Sequence, residues 1–292
     1  MSLSHTPVAP SSPSPLPTAE LLLLSDLTWR ARQDQAIEDV TGGLRLWRLA
    51  ITLGWFDIRL RYRGSVLGPF WLTMSTAVMV AALGVLYSAL FKMELHDYLP
   101  FLALSIVLWN YLSTLVSEAC TCFTSADGMI RAMRMPYTLY AARVMVRNTL
   151  VLGHNVVVII AVYAWFDVWP GWAALGALPG VVIWMIDGIA SCMLLGALCA
   201  RFRDIPPIVA SLMQIAFFIS PIIWKPELLT GYKRDLLFLN PFYSLLEIVR
   251  APLMGEAAQQ NVWLAAVAYS LVLIVATWLG FVRVRGRLAF WV

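Results

Sequence analysis

"RLRYRGSVLGPFWL", residues 59–72, sets Arg59, Arg61 and Arg63 among hydrophobic residues and then enters an apolar segment that continues to Phe91. A helix needs about 20 mostly apolar residues to cross the hydrocarbon core of a bilayer. The segment therefore reads as a transmembrane span with a basic collar at its start. Lys and Arg concentrate in the cytoplasmic connections of membrane proteins, so the collar marks the inner side.

The same pattern recurs along the chain. Of 292 residues, 60% are hydrophobic and 13% charged, against roughly 25% charged in an ordinary soluble domain. The charges are clustered between long apolar runs, which predicts an all-α integral membrane protein. A transmembrane β-barrel would show alternating segments of about ten residues; these runs are continuous. Six spans are expected, at residues 68–91, 98–119, 144–166, 172–200, 205–224 and 261–282. Pro179 in the fourth and Pro206-Pro207 opening the fifth predict kinks or short non-helical starts.

With the amino terminus inside, sixteen of the 21 Lys and Arg fall in inner segments. Only Lys92, Lys225, Lys233, Arg234 and Arg250 fall in outer ones. Both termini are expected in the cytoplasm. The net charge of +4 flanks apolar runs instead of forming a basic domain, so nucleic acid is not expected as a partner. Residues 1–18 are rich in Pro and Ser and predict a disordered tail, taken to extend loosely over 1–43. "LLLL" at 21–24 is too short for the core of a signal peptide. Cys120, Cys122, Cys192 and Cys199 lie in or beside spans, and Cys120-x-Cys122 lacks the second ligand pair of a zinc site. They read as small apolar helix residues, and no metal is expected.

Three connections carry more pattern than a link needs. Over residues 44–63, Arg45, Arg48, Thr52, Arg59 and Arg63 share one helical face beside a stripe of Leu46, Leu49, Leu53, Phe56 and Leu60. That pattern predicts a helix along the membrane surface, or a plain inner-face anchor. A second strip of Ile51, Trp55, Ile58 and Tyr62 suggests that part of it packs on protein. In the inner connection 120–143, Asp127 and Gly128 open a short helical stretch ending at Pro136, either a handle for a soluble partner or a solvated loop. The outer connection 225–260 is unusually hydrophobic. Asn240-Pro241 separates apolar pieces near 227–239 and 242–254, each too short to cross. This predicts a re-entrant hairpin, tolerated only against protein or a water-filled cavity.

"RYRGSVLGPFWLTMSTAVMVAALGVLYSALF", "RFRDI" at 201–205, "NPFYSLLEIVRAPLMG" at 240–255 and the ending "RGRLAFWV" together resemble the membrane subunits of bacterial polysaccharide exporters, from about residue 44 onward. These are type-2 ABC permeases that carry lipid-linked O-antigen, capsule or teichoic-acid chains across the inner membrane. The resemblance implies a homodimer of six-span chains with two ATPase subunits that bind ATP and Mg, and a transmembrane domain over 44–292. The helix near 44–63 would be the interface helix. Asp127, Gly128, Met129, Ile130, Arg131 and Arg134 would form the coupling helix, and Asn240, Pro241, Phe242 and Tyr243 the outer gate. Where such proteins often carry an "FPR"-like step, this chain reads Met135-Pro136-Tyr137.

The chain contains no G-x-x-x-x-G-K-[ST] loop to cradle phosphates, so ATP-driven work needs another chain. Under this reading Arg59, Arg61 and Arg63 meet the phosphates of a lipid-linked glycan. Tyr87, Phe91, Phe217 and Trp224 offer aromatic surfaces to sugars, although such residues also serve as core or interfacial belt. A rival engine, an ion gradient, would use protonatable groups inside spans, here Asp187 and His154; the plainer reading of both is hydrogen bonding between helices. A membrane-embedded glycan-modifying enzyme would need a convergent acid–base or nucleophile set. None is defensible, with His5 in the tail and His96 in an outer loop. No catalytic residues are therefore expected in this chain.

Overall fold

The computed structural model describes residues 28–64 and 70–292. The tail expected over 1–18 and the first residues, 68–69, of the first expected span lie outside the described residues. The elements are α1 (Trp29–Arg45), α2 (Trp47–Arg61), α3 (Phe70–Phe91), α4 (Leu95–Cys120), α5 (Asp127–Ala132), α6 (Tyr137–Phe166), α7 (Ala177–Arg201), α8 (Ile205–Ile219), α9 (Tyr232–Asp235), α10 (Pro241–Leu253) and α11 (Gln260–Trp291), with short 3-10 turns between some of them.

Helices α3, α4, α6 and α11, together with α7 and the 3-10 turn before it, are long and apolar enough to cross a bilayer. The pieces Tyr232–Leu239 and Pro241–Leu253 form a bent pair meeting at 98°. Among the described residues the fold is thus all-α with about six spans; the expected fifth, 205–224, is present there as the shorter apolar helix α8. Within the bundle α4 is central: 78% of its apolar window is buried, against 22% for α3 and for α11. It packs on α3, α6, α7, α8 and α10. Helices α6 and α11, with 30 and 32 residues, outrun the apolar runs at 144–166 and 261–282. Those ends carry Arg143 and, one turn further in, Arg147 on α6, and Arg283, Arg285 and Arg287 on α11, at the end of the bundle where α5 lies.

The sequence expectations need correction in four places. Residues 29–43, assigned to the tail, belong to a 17-residue helix (Trp29–Arg45) whose first turn is capped by Thr28, its Oγ1 accepting from Ala31 N at 3.4 Å. The single helix expected over 44–63 is broken at Leu46, so Arg45 belongs to the preceding element. The stretch opened by Asp127 ends at Ala132, not at Pro136; Pro136 instead precedes the first residue of α6. The fifth span, expected to reach 224, stops at Ile219, where Ser220 turns extended and Pro221 follows. Pro206-Pro207 sit in the first turn of α8, where the missing N–H is harmless.

Close approach fixes two packing contacts. α2 buries Ala50, Gly54 and Ile58, one face at i, i+4 and i+8, against α6. A Cβ on Gly54 would lie 2.9 Å from the Val146 side chain and 3.2 Å from the Arg143 carbonyl oxygen. Elsewhere on its surface α2 leaves Trp47, Ile51, Trp55, Phe56 and Leu60 exposed, as suits a helix lying at a membrane surface. Gly180 on α7 does the same for α10: a Cβ there would lie 2.8 Å from Val249 and 3.1 Å from the Ile248 carbonyl oxygen.

Candidate functional site

Two ends of the bundle carry polar architecture. At the α5 end, α5 itself has no buried residue. Arg131 ion-pairs with Asp127 one turn earlier and donates to the Val292 carbonyl at 2.8 Å. Arg134 is exposed just beyond the helix, while Met129 and Ile130 are half-buried and Gly128 is exposed. A cleft of about 800 Å³ opens between α1, the α5 segment and the last turns of α11, lined by Glu38, Asp39, Arg45, Arg131, Arg134 and Arg285 among others.

Asp39 organises this end. It is 2% exposed and accepts from Tyr137 N at 3.1 Å, Thr138 N at 3.0 Å and Thr138 Oγ1 at 3.0 Å. The first N–H groups of a helix lack partners within it, so a carboxylate on α1 caps α6 from outside. Arg285 on α11 donates to the same carboxylate at 3.2 Å and to Gln35 at 3.3 Å. One acid thereby joins α1, α6 and α11.

Beside it a second network joins α2, α4 and α6. Asp57 receives Arg143 Nε at 2.7 Å and Arg147 Nη1 at 2.9 Å. Glu118 receives Arg147 Nη2 at 2.7 Å, Asn148 Nδ2 at 2.6 Å and Arg61 Nη2 at 2.8 Å. Three guanidinium groups against two carboxylates leave one surplus positive charge. Of the arginines expected to meet lipid phosphates, Arg61 is thus committed to Glu118, though its side chain remains 44% exposed. Arg59 and Arg63 are exposed. Sequence reading counted Arg143 and Arg147 only as inner charges. Their i, i+4 spacing puts them on one helical face, the signal that points to acids on a neighbouring element.

At the other end the bent pair is bolted down. Asn240 caps α10, its Oδ1 accepting from Phe242 N at 3.0 Å while Nδ2 donates to Ser220 Oγ at 2.8 Å. Pro241 follows in the first turn. Trp184 Nε1 donates to the Leu245 carbonyl at 2.9 Å, Tyr163 to that of Leu253 at 2.8 Å and Tyr269 to that of Phe238 at 2.9 Å. The central bolt is Arg250, 2% exposed. It donates to Ser105 Oγ at 2.9 Å and to the Pro221 carbonyl at 2.5 Å, ion-pairs with Glu247, and lies 4.6 Å from the Phe101 ring centroid. From the sequence Arg250 was only an outer-loop charge; a lone Arg inside an apolar helical run is the feature that marks it.

The aromatic candidates fall into separate groups. Tyr87 stacks on Phe91 with ring centroids 5.7 Å apart, and Phe91 meets Tyr98 edge-on at 6.2 Å. Phe217 lies 5.9 Å from Trp109, which lies 5.4 Å from Phe242 of the hairpin. Trp224 donates its indole N–H to the Phe218 carbonyl at 3.3 Å, and Tyr243 packs on Phe238. Asp187 and His154 bond to different elements. Asp187 is buried and accepts from Ser270 on α11 at 2.7 Å, whereas His154 is exposed, its Nδ1 lying 2.7 Å from the Leu150 carbonyl of its own helix. The four cysteines are buried and reduced.

Comparison with known proteins agrees with this architecture. The chain is similar to the O-antigen export system permease protein RfbA of Myxococcus xanthus, with 23% identity over 231 residues, covering 75% of this chain and 89% of that one. It is also similar to a protein of the same name from Klebsiella pneumoniae, with 18% identity over 202 residues, covering 69% and 78%. Residues 48–254 match the family described as ABC-2 type transporter, a stretch that runs from α2 to the end of α10. The chain is a multi-pass membrane protein belonging to the ABC-2 type transporter family, a permease subunit without catalytic function of its own.

Proposed function

We propose that this permease exports a lipid-linked, O-antigen-like polysaccharide across the bacterial inner membrane, as a homodimer with two ATPase subunits that bind ATP and Mg. The observation that carries the reading is the similarity to O-antigen export permeases over nearly the full length of the Myxococcus protein. The exposed apolar surface of α8, where Met213 alone is buried and Ile208, Leu212, Ile215 and Phe218 are exposed, supports a second copy in the membrane. The α5 end, richest in Arg, would face the cytoplasm with both termini.

In this mechanism the lipid phosphates meet Arg59, Arg61 and Arg63, with the surplus charge of the Arg61–Glu118–Arg147–Asp57–Arg143 network adding to the attraction. The glycan passes between two copies, along aromatic surfaces that include Tyr87, Phe91, Phe217 and Trp224. ATP-driven closure of the partners bears on α5 (Asp127, Gly128, Met129, Ile130, Arg131) and on Arg134. Because α5 abuts the last turns of α11 through Arg131, and α1 ties those turns to the start of α6, a push on α5 is delivered to two spans at once. Asn240, Pro241, Phe242 and Tyr243 form the outer gate, which opens as the polymer advances.

Co-purification with a Walker-containing ATPase, and ATP hydrolysis stimulated by the lipid-linked glycan, is the expected result. Deletion should leave lipid-linked polymer inside the cell. Polymer that never forms would favour an enzyme, and transport by the chain alone in vesicles would favour a gradient-driven carrier. The double variant R131E/R134E should keep the complex's ATP hydrolysis and lose export about ten-fold or more, as expected for severing charge-assisted contacts of about 1.5–3 kcal/mol each. Unchanged export in that variant would remove these residues from coupling.

A further inference from the structure

Between α4, α7, α10 and α11 lies a cavity of about 370 Å³. Its walls are largely apolar, with Leu115 from α4, Phe242 and Leu245 from α10 and Leu273 from α11. Asp187 stands among them. Asp187 is 7% exposed, and among the described residues only one of its oxygens is satisfied: Oδ2 accepts from Ser270 at 2.7 Å, while Oδ1 is buried with no hydrogen-bond partner there. Among the described residues the acid has no ion pair. The two aromatic donors in the lining are committed elsewhere, Trp184 to the Leu245 carbonyl and Tyr269 to that of Phe238.

An apolar cavity of this size with a few polar groups, here Asp187 and Ser191 beside the committed Trp184 and Tyr269, is the form of a small-molecule site. A buried carboxyl without a cation is costly, and an ammonium group brought to it makes a charge-assisted hydrogen bond where none exists. A plain hydrocarbon would fill the volume and leave Oδ1 unpaired. We propose that this cavity binds a compact hydrophobic amine, its nitrogen donating to the Asp187 carboxylate and its hydrocarbon body resting on Leu115, Phe242 and Leu273. Since Phe242 and Leu245 belong to α10, occupancy ties that helix to α7. The binding itself does not depend on what the protein transports.

The test uses the purified full-length protein in mild detergent with labelled adamantylamine, and with adamantanol, of like shape but uncharged, as competitor. Saturable binding of the amine is expected. D187N keeps the shape and the acceptor for Ser270 but removes the charge, and should weaken the amine by about ten-fold or more. Adamantanol should compete at least about ten-fold more weakly than the amine in the parent protein, and equally well in both proteins. A276F, which fills the cavity from α11 and leaves Asp187 intact, should abolish binding of both compounds. An absence of saturable binding, equal affinity of amine and alcohol for the parent protein, or amine binding retained in A276F each overturns the proposal. The A276F arm decides even where D187N fails to fold.

Discussion

R250M should lower the thermal unfolding midpoint of the detergent-purified protein by several degrees and free α10 from the bundle. Removing one partner of a buried ion pair costs about 3–5 kcal/mol, because the other charge is left behind. Here the cost is compounded. Glu247 keeps its charge with only 20% of its side chain exposed, and Ser105 Oγ and the Pro221 carbonyl each lose a donor. Ser105 is on α4 and Pro221 is in the turn after α8, so one side chain holds α10 to two other parts of the fold. R250K keeps the charge but loses the fork that reaches several acceptors at once, and should fall between. R234M, altering an exposed Arg on the same connection, is the matched control. Should R250M melt with the control, α10 is held by packing against α7 and the polar contacts of Arg250 are incidental.

The second large effect is expected at Arg147. Its side chain is 14% exposed and pairs with both Asp57 and Glu118. R147M leaves those acids with Arg143 and Arg61, one each, and Glu118 keeps only a half-exposed partner. A loss of about 3 kcal/mol is expected, with α2 loosened from the bundle. The triple variant R147M/D57N/E118Q should fall further, since Arg143, 20% exposed, is then left without an acid. A triple variant as stable as R147M would mean that the network acts through shape and not charge. Proteolysis between α2 and α3 offers a second readout: R147M should be cut faster than the parent.

The spans were legible because crossing a bilayer demands continuous apolar length, a property that one sequence displays without help from its neighbours. The bent pair was legible for a related reason: Asn240-Pro241 is both a helix cap and a first-turn proline, and the pieces beside it are too short to cross. What escaped is what depends on partners distant in sequence. α1 is polar enough to pass for tail, and the reason it is ordered, Asp39 capping α6 and receiving Arg285, lies about 100 and 246 residues away. Arg61, read as one of three equivalent collar charges, is distinguished from Arg59 and Arg63 only by Glu118. Arg250 was counted with the outer-loop charges, although its neighbours Ile248, Val249 and Ala251 are buried with it. Charge counts orient a membrane protein, but they do not tell a charge that anchors from one that is solvated.

The short α8 has a consequence for the membrane around it. Its 15 residues rise only about 22 Å, against roughly 30 Å of hydrocarbon. The deficit is met by lipids that compress toward the helix or by water that descends to its ends, at fractions of a kcal/mol per ångström. Either response dimples the bilayer locally. A hydrophilic polymer moving beside α8 would then face a thinner oily barrier than the surrounding membrane presents.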